Sequence, residues 1–169
     1  MSLSMYQASV PTVQKMLGNL SKILDKAAQH AQQKKIDPSV LLSTRLTPDM
    51  FPLVRQVQLT TDFARSCAAR LAGKEVPKVP DTETTIEELK ARIDKTVDYL
   101  KATKQNEIDG SEAKDITFPI GGNPTTFKGQ SYLVGFALPN FYFHLTTAYD
   151  ILRQCGVEIG KRDFLGALN

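Results

Sequence analysis

A helical pattern lies near the carboxyl end of the sequence, in Leu138-Pro-Asn-Phe-Tyr-Phe-His-Leu-Thr-Thr-Ala-Tyr-Asp-Ile-Leu-Arg153. Apolar and weakly polar residues recur there every three or four positions, which is the spacing of one face of an α-helix. This face comprises Phe141, His144, Leu145, Ala148, Tyr149, Leu152 and Cys155. We therefore predict a helix over about residues 131–155, interrupted near Pro139 and ended by Gly156.

Three segments further upstream show the same period. The first runs to about Gln33, and the second begins at Thr47-Pro48-Asp49, an N-cap residue followed by proline, and stops before Gly73. The third opens with Thr85-Ile-Glu-Glu88, the sequence of a capping box, and fades by about Gln105. Four amphipathic helices predict an all-α four-helix bundle, in a single domain over residues 1–169.

The helical pattern is interrupted before the last helix. Ile116, Phe118 and Ile120 alternate with polar residues or proline, and Gly121-Gly-Asn-Pro124 follows as a cluster of turn formers. We predict a short hairpin or an extended ordered loop at this insertion. The glycine cluster lacks the lysine and serine or threonine that end a phosphate-binding loop, so we interpret it as a turn.

Composition and charge exclude several classes of protein. The 169 residues are 41% hydrophobic and 23% charged, as in ordinary globular domains. No apolar run approaches the roughly 18 residues of a membrane span, and the amino terminus lacks a secretory pattern. The net charge of +3 is mild, with basic and acidic residues interleaved. We expect a cytoplasmic bacterial protein that binds neither membranes nor nucleic acid.

Cysteines and histidines are few. Cys67 and Cys155 fall in separate helical segments, where buried apolar packing is a better interpretation than a disulfide. His30 and His144 are the two histidines, so one chain cannot supply a site that needs three.

The last helix carries more apolar surface than one buried face requires. Tyr142 and Phe143 lie outside the main stripe. A second apolar face predicts either a homodimer interface or coverage by the insertion.

Four stretches resemble a known family: Met5-Tyr-Gln-Ala-Ser-Val-Pro11, Ala69-Arg-Leu-Ala-Gly73, Leu138–Arg153 and Gly160-Lys-Arg-Asp-Phe-Leu-Gly166. They are similar to an uncharacterised bacterial family of the DinB/YfiT-like superfamily, over nearly the whole chain. The resemblance implies a four-helix bundle in an up-down-down-up arrangement, commonly dimeric, and it brings no established reaction.

The wider superfamily implies a chemistry that this sequence only partly matches. Its active members hold a divalent metal with one histidine from helix two and a His-x-x-x-His pair on helix four. Their activities include thiol S-transferases for bacillithiol or mycothiol and a maleylpyruvate isomerase. Here His144 matches the first histidine of the pair, Ala148 replaces the second, and Gln58 is the best match on helix two.

His144 has two interpretations. It is either a remnant ligand or acid–base group in an internal cleft, helped by Tyr149 and by Gln58 or Asp62 across the bundle, or a buried histidine hydrogen-bonded to a core partner. Both interpretations stay open at this stage.

Asp62 also has several roles open to it. It can orient His144, ligate a metal, or pair with Arg65 or Arg55, and the ion pair is favoured. The hydroxyl of Tyr142, like that of Tyr149, needs a partner if it is buried.

The ligand-cleft candidates are therefore His144, Gln58, Asp62, Tyr149 and Tyr142. We predict a small-molecule-binding bundle with a degenerate metal site and no cofactor. The alternative is a thiol S-transferase or isomerase in which His144 and Asp62 hold Zn, Ni, Mn or Fe. A purely structural dimer partner is a third hypothesis.

Overall fold

A computed structural model describes residues 3–167 of the chain. Long helices form the body of this region: α1 (Met5–Lys34), α3 (Leu53–Leu71), α4 (Ile86–Ala102) and α7 (Leu138–Gln154). The connections hold shorter elements, namely α2 (Pro38–Ser43), α5 (Gln105–Ile108), β1 (Asp115–Ile120), β2 (Asn123–Lys128), α6 (Gly129–Tyr132) and α8 (Lys161–Leu165). The predicted helical fold with a small insertion is confirmed.

One hydrophobic core lies between the long helices. Helix α3 packs against both α4 and α7, while α1 packs against α4 and is covered at one side by α8. Apart from Tyr132 of α6, the largest fully buried side chains come from α1, α3, α4 and α7, and include Leu17, Leu20, Leu53, Leu71, Leu89, Ile93 and Phe141. Among residues 3–167 no helix combines the length and the apolar character that crossing a bilayer requires.

The second long helix begins later than the sequence suggested. It starts at Leu53 with Pro52 as its N-cap residue, not at Pro48. Thr47 to Met50 instead form a turn, in which the Met50 N–H donates to the Thr47 carbonyl at 3.1 Å. Pro52 is the physical cause, because a proline disfavours the helical conformation of the residue before it. The predicted end is confirmed, since the helix stops at Leu71 and Gly73 has a φ of +68°.

The capping box of the third long helix is confirmed. The Glu88 N–H donates to the Thr85 hydroxyl oxygen at 3.1 Å, and the Thr85 N–H donates to the Glu88 carboxylate at 3.1 Å. These two bonds satisfy donors that the first turn of α4 would otherwise leave without partners.

The insertion is an antiparallel hairpin. Strands β1 and β2 pair from Asp115–Lys128 to Ile120–Asn123, so Gly121 and Gly122 form a two-residue turn. Their φ values are +57° and +85°, as a tight hairpin turn of this length requires. The alternation places Ile116 and Phe118 in the core, which anchors the hairpin to the helices.

The predicted interruption near Pro139 takes the form of a π-helical turn. Residues Leu133–Ala137 are π-helical and join α6 directly to α7. Pro139 cannot donate a backbone hydrogen bond, and its ring crowds the carbonyl four residues earlier. The Asn140 side chain donates to the Phe136 carbonyl at 2.7 Å, which compensates one acceptor in the widened turn.

Candidate functional site

His144 lies on the buried face of α7 and bonds to α3. The residue is 9% exposed, and its Nδ1 lies 2.8 Å from Oε1 of Gln56, which is 1% exposed. The imidazole stacks on the Phe63 ring with centroids 5.4 Å apart, and the Phe143 ring meets it edge-on at 5.3 Å. The imidazole thus contacts two aromatic side chains as well as the Gln56 amide.

The hydrogen-bond network assigns the tautomer of His144. Nε2 of Gln56 donates to the Phe51 carbonyl at 3.1 Å, so Oε1 of the same amide faces the imidazole and accepts. Nδ1 of His144 therefore carries the proton and Nε2 keeps a lone pair. This Nε2 has no hydrogen bond within residues 3–167 and is not fully enclosed, so it can accept a hydrogen bond from solvent or a ligand.

The surroundings of His144 keep it uncharged. Burial is the main cause that lowers the pKa of His144 from 6.5 to about 4. The positive charge of Arg55 lowers this pKa further, while the negative charge of Asp62 opposes the shift. The imidazole is consequently neutral at pH 7, with its one proton on Nδ1 donated to Gln56, and it lacks the second proton that an imidazolium gives as a general acid.

Gln56, and not Gln58, faces His144. The two glutamines are two positions apart on α3, which rotates their side chains by about 200° around the helix. The amide of Gln58 points instead toward the linker after α3, where its nitrogen donates to Glu83 at 2.9 Å. Gln58, which the sequence aligns with the helix-two ligand, therefore does not face His144 in this structure.

Asp62 is held by arginines. Its Oδ1 lies 2.5 Å from the guanidinium of Arg65 and 2.6 Å from that of Arg92. Arg92 is almost fully buried and also pairs with Asp81 and Glu83 at 2.9 and 3.0 Å. The predicted ion pair with Arg65 is present, while Asp62 and His144 share no hydrogen bond within residues 3–167.

The donors near His144 do not fit the metal site of the wider superfamily. Ala148 occupies the position one turn later and offers no ligand atom. Gln56 contributes an amide oxygen that already accepts from His144. Across residues 3–167 no group of three or more His, Cys, Asp or Glu side chains is arranged to hold an ion. The residues around His144 therefore do not supply the ligand set of that metal site.

The two candidate tyrosines lie elsewhere on α7. Tyr142 is half-buried and packs edge-on against Phe141, and burial raises the pKa of its phenol. Tyr149 packs edge-on against Phe164 of α8, with ring centroids 5.7 Å apart, in a separate depression. The five residues predicted to share one cleft are thus distributed over several places.

An open groove that Phe63 also lines lies between α3, the hairpin and the π-helical turn. Its volume is about 270 Å³. We call it the α3–hairpin groove, and it is lined by Leu59, Asp62, Phe63, Ser66, Arg70, Phe118, Pro119, Ile120 and Phe136. Phe136 contacts both Phe63 and Phe118, at centroid distances of 6.0 and 5.3 Å, so aromatic rings form a continuous wall.

Sequence analysis missed Gln56, Phe63, Arg70 and Phe136 as site residues. A signal for part of the groove exists, because Leu59, Asp62, Phe63, Ser66 and Arg70 follow each other at the spacing of one helical face. The contribution of Phe136 and of the hairpin depends on how the chain folds back, which the spacing does not contain.

Comparison with known proteins gives a family and a fold. A family model described as "Domain of unknown function (DUF1993)" matches residues 5–165. The crystal structure of a DinB family member protein from Shewanella denitrificans is 42% identical to this chain. The alignment covers 96% of this chain and 92% of that one, with a TM-score of 0.88. No curated protein matches.

Proposed function

The chain belongs to the DUF1993 family of DinB-like proteins, whose function is unknown, and we propose that it binds a small organic molecule in the α3–hairpin groove. One observation carries the proposal. Three aromatic rings, from Phe63, Phe118 and Phe136, converge on a concave surface that also contains a few polar side chains. Ligand sites in proteins commonly combine an apolar lining with a small number of polar groups.

The backbone beside the groove supports this proposal. Phe136 belongs to the π-helical turn Leu133–Ala137, and π-helical turns inside α-helices are found frequently at functional sites. The opposite wall comes from the tip of the hairpin, where Pro119 and Ile120 lie next to the glycine turn. One face of α3 and the tip of the hairpin thus form two sides of the proposed site.

His144 belongs to the same proposal as the remnant of a metal site. His144 is one of the three histidines expected for that site, and its neutral ring stacks on Phe63, a residue of the groove wall. The up-down-down-up helix order and the homodimer belong to the proposal as well, since the DinB-like resemblance implies both.

No observation favours the alternative of a metal-dependent thiol S-transferase or isomerase. That chemistry requires His144 and Asp62 to share an ion, whereas Asp62 is engaged by two arginines. We expect the purified protein to stay free of Zn, Ni, Mn and Fe after soaking in each, measured by elemental mass spectrometry. Stoichiometric metal that disappears in His144→Ala would contradict this expectation.

The binding proposal is tested by filling the groove. Leu59 is half-buried in its wall, so Leu59→Trp places an indole in the space of the ligand. Benzyl alcohol, benzoate and benzylamine are screened for binding by saturation-transfer NMR. We expect the unmodified protein to bind at least one of them and Leu59→Trp to bind none.

Val97→Trp is the matched control. Val97 is half-buried on α4 and does not line the groove, so the same indole added there should leave ligand binding intact. Circular dichroism verifies that both variants fold. Absence of binding by every compound, or binding that Leu59→Trp does not change, would contradict the proposed function.

A further inference from the structure

Two side chains of opposite formal charge line the α3–hairpin groove, and their electrostatic states differ. Asp62 and Arg70 lie two helical turns apart on α3. A ligand bound between them interacts with the part of each charge that ion pairs within the protein do not neutralise. This remaining charge sets which class of ligand the groove attracts.

The charge of Asp62 is already compensated. Its carboxylate contacts the guanidinium groups of Arg65 and Arg92, at 2.5 and 2.6 Å. Both arginines are buried, at 5% and 3% exposure, so their positive charges are close and poorly screened by solvent. Asp62 therefore offers little attraction to a cationic ligand.

The charge of Arg70 is not compensated by any ion pair within residues 3–167. Its Nη1 donates to the Tyr132 hydroxyl at 3.3 Å. Burial raises the pKa of that phenol to about 12, so Tyr132 is neutral and leaves the arginine its full charge. Arg70 is thus the uncompensated cation in the groove lining.

The guanidinium of Arg70 is also held in place. Its Cζ lies over the Phe118 ring, 3.8 Å from the centroid, which is a close cation–π contact. Nε and Nη2 make no hydrogen bond to residues 3–167, and neither is fully enclosed. The N–H groups of these two nitrogens can donate to the two oxygens of one carboxylate in a bidentate arrangement.

We propose that the groove selects a small aromatic carboxylate, whose two oxygens accept hydrogen bonds from Nε and Nη2 of Arg70. Its ring packs against Phe63, Phe136 and Ile120, which form the apolar part of the lining. The proposal rests on the proposed function, and adds to it the chemical class of the ligand and the residue that selects it. A groove of about 270 Å³ suits a ligand with one ring and one anionic group.

The test compares three ligands that share one ring and differ in charge: benzoate, benzyl alcohol and benzylamine. Dissociation constants are measured by titration NMR on the unmodified protein at low ionic strength. We expect benzoate to bind about tenfold more tightly than benzyl alcohol, because a charge-assisted hydrogen bond is the stronger kind. Benzylamine should bind most weakly, and the preference for benzoate should shrink as salt is added.

Arg70 variants connect this preference to one residue. Arg70→Gln removes the charge and should abolish the difference between benzoate and benzyl alcohol, while Arg70→Lys keeps the charge without the fork and should give an intermediate result. Arg162→Gln, at an exposed position of α8, is the control with the same change of net charge.

The outcomes separate the two proposals. If benzyl alcohol and benzoate bind equally well in the groove, or if Arg70→Gln keeps the preference for benzoate, ligand binding stands and the carboxylate assignment is wrong. If none of the three binds, both proposals fail. The benzoate comparison on the unmodified protein decides the assignment even where Arg70→Gln does not fold.

Discussion

His144 is uncharged in the folded protein over a pH range in which the unfolded chain protonates it. Its pKa is about 4 in the fold and 6.5 as the ordinary value, with burial as the main cause. The unfolded state therefore binds the extra proton between these values, and stability decreases as pH falls from about 6.5 toward 4. Between pH 7 and 4.5 we expect this one group to cost about 2 kcal/mol of the free energy of unfolding.

The variant His144→Gln checks this effect. Urea unfolding at pH 7 and pH 4.5 should show a smaller loss of stability for the variant than for the unmodified protein. His30→Gln, which replaces the other histidine, is the control. The same pH dependence in the protein with and without His144 would mean that this ring is not the group that titrates.

The sequence predicted the place of His144 on a buried helix face but not its partner. Helical spacing was enough to align His144 with Phe141 and Leu145 in the core. Whether Gln56 or Gln58 faces His144 depends on the rotation of α3 about its axis. The sequence has a glutamine at both positions and so does not determine this rotation. Asp62 was likewise expected to pair with an arginine, whereas its second partner, Arg92, comes from another helix.

Helix α4 owes part of its stability to the capping box at its first turn. Thr85→Ala removes the hydroxyl that accepts from the Glu88 N–H, and we expect a loss of about 1 kcal/mol in the free energy of unfolding. Thr82→Ala, three residues earlier at an exposed position, should change stability much less. Equal effects of the two substitutions in urea unfolding would contradict a capping role for Thr85.

The sequence predicted a helix end correctly where a single residue determines it. It did not do so where two prolines both fit the start of one helix. Thr85 and Gly73 mark their helix ends as the spacing suggested. At the start of α3, the proline signal at Pro48 competes with Pro52, and the second proline prevails because it restricts Phe51. Pro139 predicted an interruption, but a π-helical turn and a sharp break are both compatible with one proline in the sequence.

Some aromatic side chains on the surface of the molecule are exposed to solvent in the monomer. Phe51 and Phe143 are 55% and 57% exposed; the Phe51 backbone carbonyl accepts from Gln56, and the Phe143 ring contacts His144. We predict a homodimer through this surface, which sedimentation velocity should detect. Phe143→Glu should shift it to monomer, while Val134→Glu, a substitution at another exposed apolar position, is the control. A monomer before any substitution would contradict the prediction.

The fold as a whole was within reach of the sequence, and the groove was not. Four apolar stripes and one alternating segment define the long helices and the hairpin, because each pattern is local. The groove needs Phe118, Phe136 and Arg70 to meet, and this contact depends on how the hairpin packs on α3. Long-range packing of this kind follows from the complete core and not from the period of any one segment.

Binding of an aromatic carboxylate in the α3–hairpin groove is tested most directly by titrating benzoate into nitrogen-15-labelled protein and following the backbone amide signals. The predicted result is a set of shifts confined to the groove, at Ser66, Arg70, Phe118, Ile120 and Phe136. The contradicting result is either no shift at all, or shifts that cluster around the basic depression near Lys26, His30 and Lys34 at the far end of α1.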